Sequence, residues 1–351
     1  MATESRERRT AARFMARCVC PLLILFVLSG TAQAYDMVKQ LVPMGDAVGI
    51  YVQMQGVLVV DAVKYDSDEG QISPAREAGI LPGDVITNIA GKCIESAEDV
   101  YAAAESMDGS PVAVTLRRYG EEKHVSLTPH FNGEKFELGL WLRDSMAGLG
   151  TLTYYDPDSG GFGALGHCVS DMDTGVTVPI SSGRLMSSAI SGVINGGDGE
   201  PGQLQGGIDG DSSIGQVDSN TESGIFGSLS DKALTEGRQA LPIARDGEIK
   251  TGPATIISTV RGTQPEQFDV EITRLHSGGR GMTLRVTDEE LLSVTGGIVQ
   301  GMSGSPIIQD GRLVGAVTHV LINDSTKGYG ISIEGMLSAG EDRSADISDA
   351  A

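Results

Sequence analysis

One segment of the chain combines the residue types that a serine nucleophile requires: Gly301-Met302-Ser303-Gly304-Ser305-Pro306. The backbone must turn sharply to expose a reactive hydroxyl, and the glycines beside Ser303 permit such a turn. The backbone amides of Gly301 and Ser303 would then point at one place and form an oxyanion hole for the negative oxygen of a tetrahedral intermediate. The pattern therefore predicts acyl transfer through a covalent serine intermediate.

Other interpretations of this segment make different predictions. Ser305 is a second candidate nucleophile, but Pro306 after it has no amide hydrogen, which favours Ser303. The nucleophile elbow of an α/β-hydrolase would need glycine at position 305, so that fold is disfavoured. A glycine-rich turn without chemistry is the remaining alternative. Against it, residues 306–317 predict two strands joined by Asp310-Gly311, which would fix the nucleophile to a sheet.

A serine nucleophile needs a general base, and the chain has five histidines. His167 is framed by glycines after a strand-like run, as a base at a loop edge would be, and it is the first candidate. His319 lies just beyond the predicted hairpin and is the second. The base would take the proton of Ser303 and later protonate the leaving amine.

The third member of such a site is a carboxylate that holds the imidazole in the correct tautomer. Asp171 and Asp173 lie near His167 in the sequence, whereas Asp288 lies between His167 and Ser303. The order His167, Asp288, Ser303 is that of trypsin-like enzymes and favours Asp288. The same residue could equally be the N-terminal cap of a helix.

Composition limits the cofactors and partners. A formal charge of −21 argues against nucleic-acid binding, which requires clustered Lys and Arg. No Cys/His set has zinc spacing, and the Asp209-Gly210-Asp211-Ser212 run lacks the glycine and glutamate of a calcium loop, so no metal or organic cofactor is expected. Cys93 and Cys168 lie in different predicted domains, so we expect no disulfide between them.

Residues 1–34 have the pattern of an export signal. Arginines precede an apolar run from Cys18 to Leu28, and Ala32-Gln33-Ala34 offers the small-x-small site that a signal peptidase cuts. The run is short for a membrane span, which needs roughly 20 apolar residues. A cleaved signal peptide and a retained anchor are both open, and both predict export of the remaining chain.

Residues 41–129 are the first predicted domain. The order of their elements, and above all Ala75-Arg76-Glu77-Ala78-Gly79-Ile80-Leu81-Pro82-Gly83-Asp84-Val85-Ile86, resembles a PDZ domain. The resemblance implies a groove between a strand at residues 48–52 and a helix at residues 97–107, where a peptide adds as a strand. Its carboxylate would meet the amides of Val48, Gly49 and Ile50. The loop before this strand carries the acidic Asp46, which does not suit the binding of a carboxylate. The alternative ligands are an internal peptide and a segment of the chain itself, and a third alternative is a domain that binds no peptide.

Residues 132–337 are the second predicted domain. Its short strands, interrupted by glycine, favour a sandwich or barrel over a parallel sheet. The acidic tail at residues 340–351 is expected to be disordered.

Three stretches of the second domain resemble the SpoIVB sporulation peptidases, which are serine peptidases of spore-forming bacteria. They are Phe162-Gly163-Ala164-Leu165-Gly166-His167 with Ser170-Asp171, Gly224-Ile225-Phe226-Gly227, and Thr295-Gly296-Gly297-Ile298-Val299-Gln300-Gly301-Met302-Ser303-Gly304-Ser305-Pro306-Ile307. The leader, PDZ domain and peptidase domain also follow in the family's order. The resemblance implies a mainly β chain, with a PDZ domain followed by a trypsin-like double β-barrel. It implies His167 as base and Ser303 as nucleophile, and it supports Asp288.

The same resemblance implies a function. Family members cleave a membrane-bound inhibitor of an intramembrane protease in sporulation signalling, cut themselves near the amino terminus, and use the PDZ domain for regulation and target recognition. This chain is accordingly expected to be an exported endopeptidase at the extracytoplasmic face of the membrane, in the forespore intermembrane space. The alternatives are an exported PDZ adaptor with an inactive peptidase domain and an esterase that uses the same residues.

Overall fold

The computed structural model describes residues 38–348, apart from 68–69, 197–199 and 277–280. The export signal predicted at residues 1–34 lies outside this part of the chain. Among the described residues, no helix is both long enough and apolar enough to span a bilayer.

Strands dominate the described part of the chain. In chain order, the first ten are β1 (Gln40–Pro43), β2 (Ala47–Ala62), β3 (Tyr65–Ser67), β4 (Gly70–Ile72), β5 (Val85–Ile89), β6 (Lys92–Cys93), β7 (Val112–Arg118), β8 (Glu121–Leu127), β9 (His130–Phe131) and β10 (Phe136–Glu137). They are followed by β11 (Leu140–Tyr155), β12 (Gly161–Ala164), β13 (Ile180–Ile194), β14 (Gln203–Thr221), β15 (Gly224–Leu229), β16 (Leu241–Pro242), β17 (Gly252–Ser258), β18 (Glu266–Leu275), β19 (Gly281–Val286), β20 (Pro306–Gln309), β21 (Arg312–Leu321) and β22 (Asp324–Ser332). The α-helices are α1 (Pro74–Glu77), α2 (Ala97–Glu105), α3 (Glu289–Thr295) and α4 (Ile333–Ser348), and 3₁₀ turns cover Lys232–Thr235 and Asp246–Glu248.

Antiparallel pairing closes a first barrel in the order β2, β11, β12, β15, β14, β13 and back to β2. In the first half of β2, Val48, Ile50, Val52 and Met54 occupy alternate positions and are buried in the core of this barrel. That spacing places one face of a strand on a core. β1 lies beside the last residues of β11.

A second closed barrel follows, in the order β17, β18, β19, β22, β21 and β20. Its core is also built from alternate strand positions. Phe268, Val270 and Ile272 of β18 are buried in it, and the polar residues between them are more exposed. Ser303 lies just before β20, and the predicted hairpin after it is present as β20 and β21. The mainly β fold with a double barrel is therefore confirmed.

The PDZ-like part lies between β2 and β11. The second half of β2 pairs with β5, β5 pairs with β7, and β7 pairs with β8. Helix α2 covers this sheet and buries Val100 and Ala103 in a core of its own. The helix begins at Ser96 with a capping box, in which the Ser96 side chain accepts from the Asp99 amide.

The structure divides the chain differently from the predicted boundaries of 41–129 and 132–337. Residues 40–54 belong to the first barrel, so the PDZ-like part is an insertion within the peptidase fold. One continuous strand, β2, serves both parts, and it passes from one core to the other near Gly56, whose φ of +93° is left-handed. A side chain at this position would lie 2.6 Å from the carbonyl oxygen of Ile86, so only glycine fits.

The final helix, α4, packs its start against both barrels. Ile333 and Met336 are buried in a cluster with Leu41 and Phe226. The helix continues to Ser348, so residues 340–348 differ from the disordered tail that the composition suggested. Extending a helix that is already anchored costs much less than nucleating one, which accounts for the difference.

Candidate active site

The loop that carries Ser303 is shaped by two glycines in left-handed conformation. Gly301 has φ +98° and Gly304 has φ +99°. A side chain at Gly304 would lie 2.0 Å from the carbonyl oxygen of Thr151, so neither the turn nor the close approach to the first barrel tolerates another residue. The loop leaves Ser303 partly exposed, as a nucleophile must be.

The two serines of the loop have different environments. The Ser305 side chain is fully buried, and its hydroxyl donates to the Met302 carbonyl at 2.7 Å. Ser305 is therefore a structural residue and not the nucleophile. The Ser303 hydroxyl donates to the Thr318 carbonyl at 2.6 Å. Rotation about its χ1 bond releases it from this acceptor, and catalytic hydrogen bonds often form only when substrate binds.

Backbone amides around Ser303 alternate between bonded and unbonded. The amides of Met302, Gly304 and Ser305 donate, respectively, to the carbonyls of Val299, Val317 and Met302. The amides of Gly301 and Ser303 have no acceptor among the described residues. Two unpaired amides flanking a serine are the arrangement that binds an oxyanion. The pair is the one that the sequence predicted.

His167 is presented by a strained turn after β12. Leu165 and Gly166 both have left-handed backbones, with φ +71° and +72°. A left-handed conformation is unfavourable for leucine, and such strain is concentrated at functional sites. A side chain at Gly166 would lie 3.1 Å from Cγ2 of Thr318, the residue whose carbonyl binds Ser303. The turns that carry the base and the nucleophile therefore both border Thr318.

The hydrogen bond of His167 sets its tautomer. Nδ1 lies 2.8 Å from the Cys168 carbonyl oxygen, which can only accept, so Nδ1 carries the proton. Nε2 of the neutral ring is then free to take a proton from serine. Burial lowers the pKa of His167, the Cys168 carbonyl opposes this effect, and the neighbouring His319 lowers the pKa further. The ring is therefore neutral near pH 7.

The predicted carboxylate, Asp288, has other contacts. It is the N-terminal cap of α3, and its oxygens accept from the amides of Leu291 at 2.9 Å and Asp269 at 3.2 Å. Among the described residues it has no contact with His167. The geometry supports the helix-cap alternative, and the Cys168 carbonyl takes the position on Nδ1 that a triad carboxylate would occupy.

The other two acids near His167 are also engaged elsewhere. Arg143 on β11 forms ion pairs with Asp171 and Asp173. Asp171 is buried and also accepts from the amides of Asp173 and Thr174, so it organises the loop after the base. The described residues thus place Ser303 and His167 on turns that both border Thr318, with the His167 ring oriented by a backbone carbonyl.

The residues predicted to bind a peptide carboxylate lie in a different place. Val48, Gly49 and Ile50 are in the barrel half of β2, where β11 pairs on one side and β13 on the other. Their edges are occupied, so the prediction that these amides bind a peptide is wrong. Asp46, which departed from the PDZ pattern, forms a bidentate ion pair with Arg238 in the first barrel.

An open groove lies elsewhere in the PDZ-like part. A cavity of about 420 Å³ separates α2 from the start of β11 and is lined by Val100, Tyr101, Trp141 and Leu142. Here β11 pairs with β2 along one edge, while β12 joins the other edge only at residues 152–155. The predicted helix does form one wall of this groove. The open strand edge is at residues 140–143 and not at residues 48–52 as predicted. The only tryptophan of the chain was the signal in the sequence that could have located it.

A second cavity, of about 510 Å³, lies beside the catalytic loops. Val299, two residues before Gly301, and Val320, next to His319, face it together with Glu200 and Asp324.

Comparison with known proteins decides the family. Residues 134–337, more than half of the chain, match the family model described as SpoIVB peptidase S55. The chain belongs to this family. Residues 69–118 match a PDZ domain model. This member of the SpoIVB serine peptidase family therefore also contains a PDZ domain.

More distant similarities are short. A protein of Agrobacterium fabrum named as a zinc metalloprotease (Atu1380) is 33% identical over 98 residues, which are 26% of this chain and 24% of that protein. Serine protease HTRA2 of Bos taurus is 42% identical over 57 residues, 16% of this chain and 12% of that protein. This chain therefore spans a quarter or less of either relative. The two belong to different catalytic classes, so neither match indicates an activity.

One solved structure illustrates the limit of structural comparison. The active form of the Rv3671c protease from M. tuberculosis is 15% identical, with 55% of this chain and 73% of that chain covered and a TM-score of 0.33. The fold assignment rests instead on the strand pairing of the two barrels.

Proposed function

We propose that this chain is an exported serine endopeptidase that cleaves a membrane-associated regulatory protein, and itself, in signalling between compartments during sporulation. The observation that carries the peptidase site is the pair of unbonded amides at Gly301 and Ser303 beside a base with its proton on Nδ1. Membership of the SpoIVB peptidase S55 family supports the sporulation role. The export signal predicted at residues 1–34 supports action at the extracytoplasmic face of the membrane.

The proposed reaction assigns a role to each of these groups. Ser303 turns from the Thr318 carbonyl, gives its proton to Nε2 of His167 and attacks the peptide carbonyl carbon. The amides of Gly301 and Ser303 bind the oxyanion, and His167 then protonates the leaving amine. A water molecule, deprotonated by His167, hydrolyses the acyl-enzyme and restores Ser303.

The groove of the PDZ-like part has a role in target recognition in this proposal. An extended segment of the regulatory protein would add as a strand along residues 140–143, with its side chains against Tyr101 and Trp141. This mode needs no free carboxylate, so an internal segment fits.

Mass spectrometry of the purified full chain tests the proposal. Wild type should cut itself and peptides from candidate membrane regulators over time, whereas Ser303→Ala and His167→Ala should remain intact. Ser305→Ala is the matched serine control and should retain cleavage when it is folded. If wild type cleaves neither itself nor any candidate peptide, the role of an inactive PDZ adaptor is favoured. Cleavage of esters without peptides would favour the esterase alternative.

A further inference from the structure

Thr151 on β11 is bonded to both catalytic segments. Its side chain is fully buried, and its hydroxyl donates to the Gly301 carbonyl at 2.7 Å. Its amide donates to the Ser303 carbonyl at 2.9 Å, and its own carbonyl accepts from the Leu165 amide at 3.2 Å. One residue of the first barrel thus holds the nucleophile loop on one side and the turn before His167 on the other.

These bonds act on the peptide planes that carry the oxyanion amides. The Gly301 amide belongs to a plane whose carbonyl, that of Gln300, accepts from Leu204. The Ser303 amide belongs to a plane whose carbonyl, that of Met302, accepts from Ser305. Between these two planes lies the peptide of the Gly301 carbonyl, which Thr151 holds by its hydroxyl. The angle between the two oxyanion amides therefore depends on this bond.

We propose that Thr151 is a positioning residue that sets the geometry of the oxyanion hole through its hydroxyl. The inference rests on the proposed role of Ser303 as nucleophile. Because left-handed Gly301 has no side chain to restrict its rotation, the plane between the two amides is held by its own two hydrogen bonds. The Met302 amide donates to the Val299 carbonyl at 3.1 Å, and the Gly301 carbonyl accepts from the Thr151 hydroxyl at the shorter distance of 2.7 Å. Transition-state stabilisation by preorganised donors is lost steeply when their positions shift.

Thr153 offers a matched comparison two positions along the same strand. Its side chain is also fully buried, but its hydroxyl has no partner among the described residues. Replacing either threonine by valine keeps the volume and removes one buried hydroxyl. Only the change at Thr151 removes a bond to the nucleophile loop.

Labelling of the full chain with a fluorophosphonate tests the inference. The probe phosphonylates an activated serine with loss of fluoride, and the phosphonyl oxygen of the adduct occupies the oxyanion hole. We expect Thr151→Val to lower the maximal labelling rate about 10- to 100-fold with little change in the probe concentration giving half-maximal rate. Thr151→Ser, which keeps the hydroxyl, and Thr153→Val should stay within about threefold of wild type. A uniform packing defect would instead affect Thr151→Ser and Thr153→Val as well.

The outcomes separate this inference from the proposed function. If wild type is not labelled at Ser303, as judged against Ser303→Ala, the proposed nucleophile is wrong and the inference falls with it. If wild type is labelled and Thr151→Val reacts at the wild-type rate, only the role of Thr151 is refuted. Circular dichroism reports whether Thr151→Val folds. If it does not, Thr151→Cys, of similar size and with a weaker donor, replaces it, and a wild-type rate there refutes the inference.

Discussion

The rings of His167 and His319 contact each other in a tilted arrangement, with centroids 4.6 Å apart and planes inclined by 35°. His167 follows β12 of the first barrel and His319 lies on β21 of the second, so the pair joins the two barrels at the active site. Burial disfavours a charge on the His167 ring, and a charge on the neighbouring His319 ring disfavours it further. The pKa of His167 is therefore held below its ordinary value.

The pH dependence of activity should show this effect. An imidazolium cannot accept the proton of Ser303, so the rate should fall as the pH drops through the pKa of His167. Because that pKa is lowered, the acid limb of the rate profile should lie below about pH 6.5, the ordinary value for histidine. Fluorophosphonate labelling rates measure this acid limb. An assay range of about pH 4.5 to 8 extends to both sides of the ordinary histidine pKa.

Replacing His319 by phenylalanine should move this limb to higher pH. The aromatic ring keeps the packing against His167 but cannot carry the charge that lowers the pKa of His167. His276→Phe is the control, because His276 faces Thr283 and Tyr329 in the second barrel and should leave the profile unchanged. Loss of all labelling in His319→Phe, with His167→Ala still active, would show that His319 is the base.

Asp288 should tolerate asparagine but not alanine. Asparagine caps helices as well as aspartate does, so Asp288→Asn should keep labelling and self-cleavage within about threefold of wild type. Asp288→Ala should lower the free energy of unfolding by about 1 kcal/mol, through loss of the bond to the Leu291 amide. Urea titration and labelling rates measure the two effects. A loss of about 10⁴-fold in rate for Asp288→Asn would identify it as the triad carboxylate after all.

The residues of the site differ in how far the sequence could reveal them. The prediction of Ser303 and the amides of Gly301 and Ser303 depends on a local pattern of glycines, and the structure leaves both amides without an acceptor among the described residues. The orientation of His167 depends on the carbonyl of the next residue, which no side-chain pattern encodes. Asp288 was selected by its order in the chain, although its contacts are with the Leu291 amide of the helix that it caps and with the Asp269 amide, which tertiary folding places beside it.

The fold has a similar division. Short strands interrupted by glycine predicted a sandwich or barrel, and the resemblance to a PDZ domain implied the helix that is present as α2. The insertion of that part into the first barrel was missed, because β2 is one continuous strand whose two halves join different cores. Periodicity identifies the buried face of a strand but not the partner that covers it.

The groove beside α2 should bind targets through Trp141. Its side chain is 65% exposed, and burying an aromatic ring contributes about 2 kcal/mol, so Trp141→Ala should weaken cleavage of a protein target at least tenfold. Labelling of Ser303 by the small fluorophosphonate should not change. Tyr119→Ala is the control, since Tyr119 is 98% exposed in the same PDZ-like part but does not line the groove. Equal cleavage by Trp141→Ala and wild type would exclude the groove from target binding.

The stability of the PDZ-like part should depend on the ion pair between Arg118 and Asp84. The Asp84 side chain is only 1% exposed, and both its oxygens accept from Arg118 at 2.7 Å. Arg118→Met would leave this carboxylate buried with little more than the Leu81 amide at 2.9 Å, and should lower the free energy of unfolding by about 3 kcal/mol. The exposed pair between Arg76 and Asp61 is the control, and Arg76→Met should change that free energy by less than about 1 kcal/mol. Urea unfolding followed by Trp141 fluorescence compares the two variants. If both variants lost the same free energy of unfolding, the burial of Asp84 would not determine how much its ion pair contributes to stability.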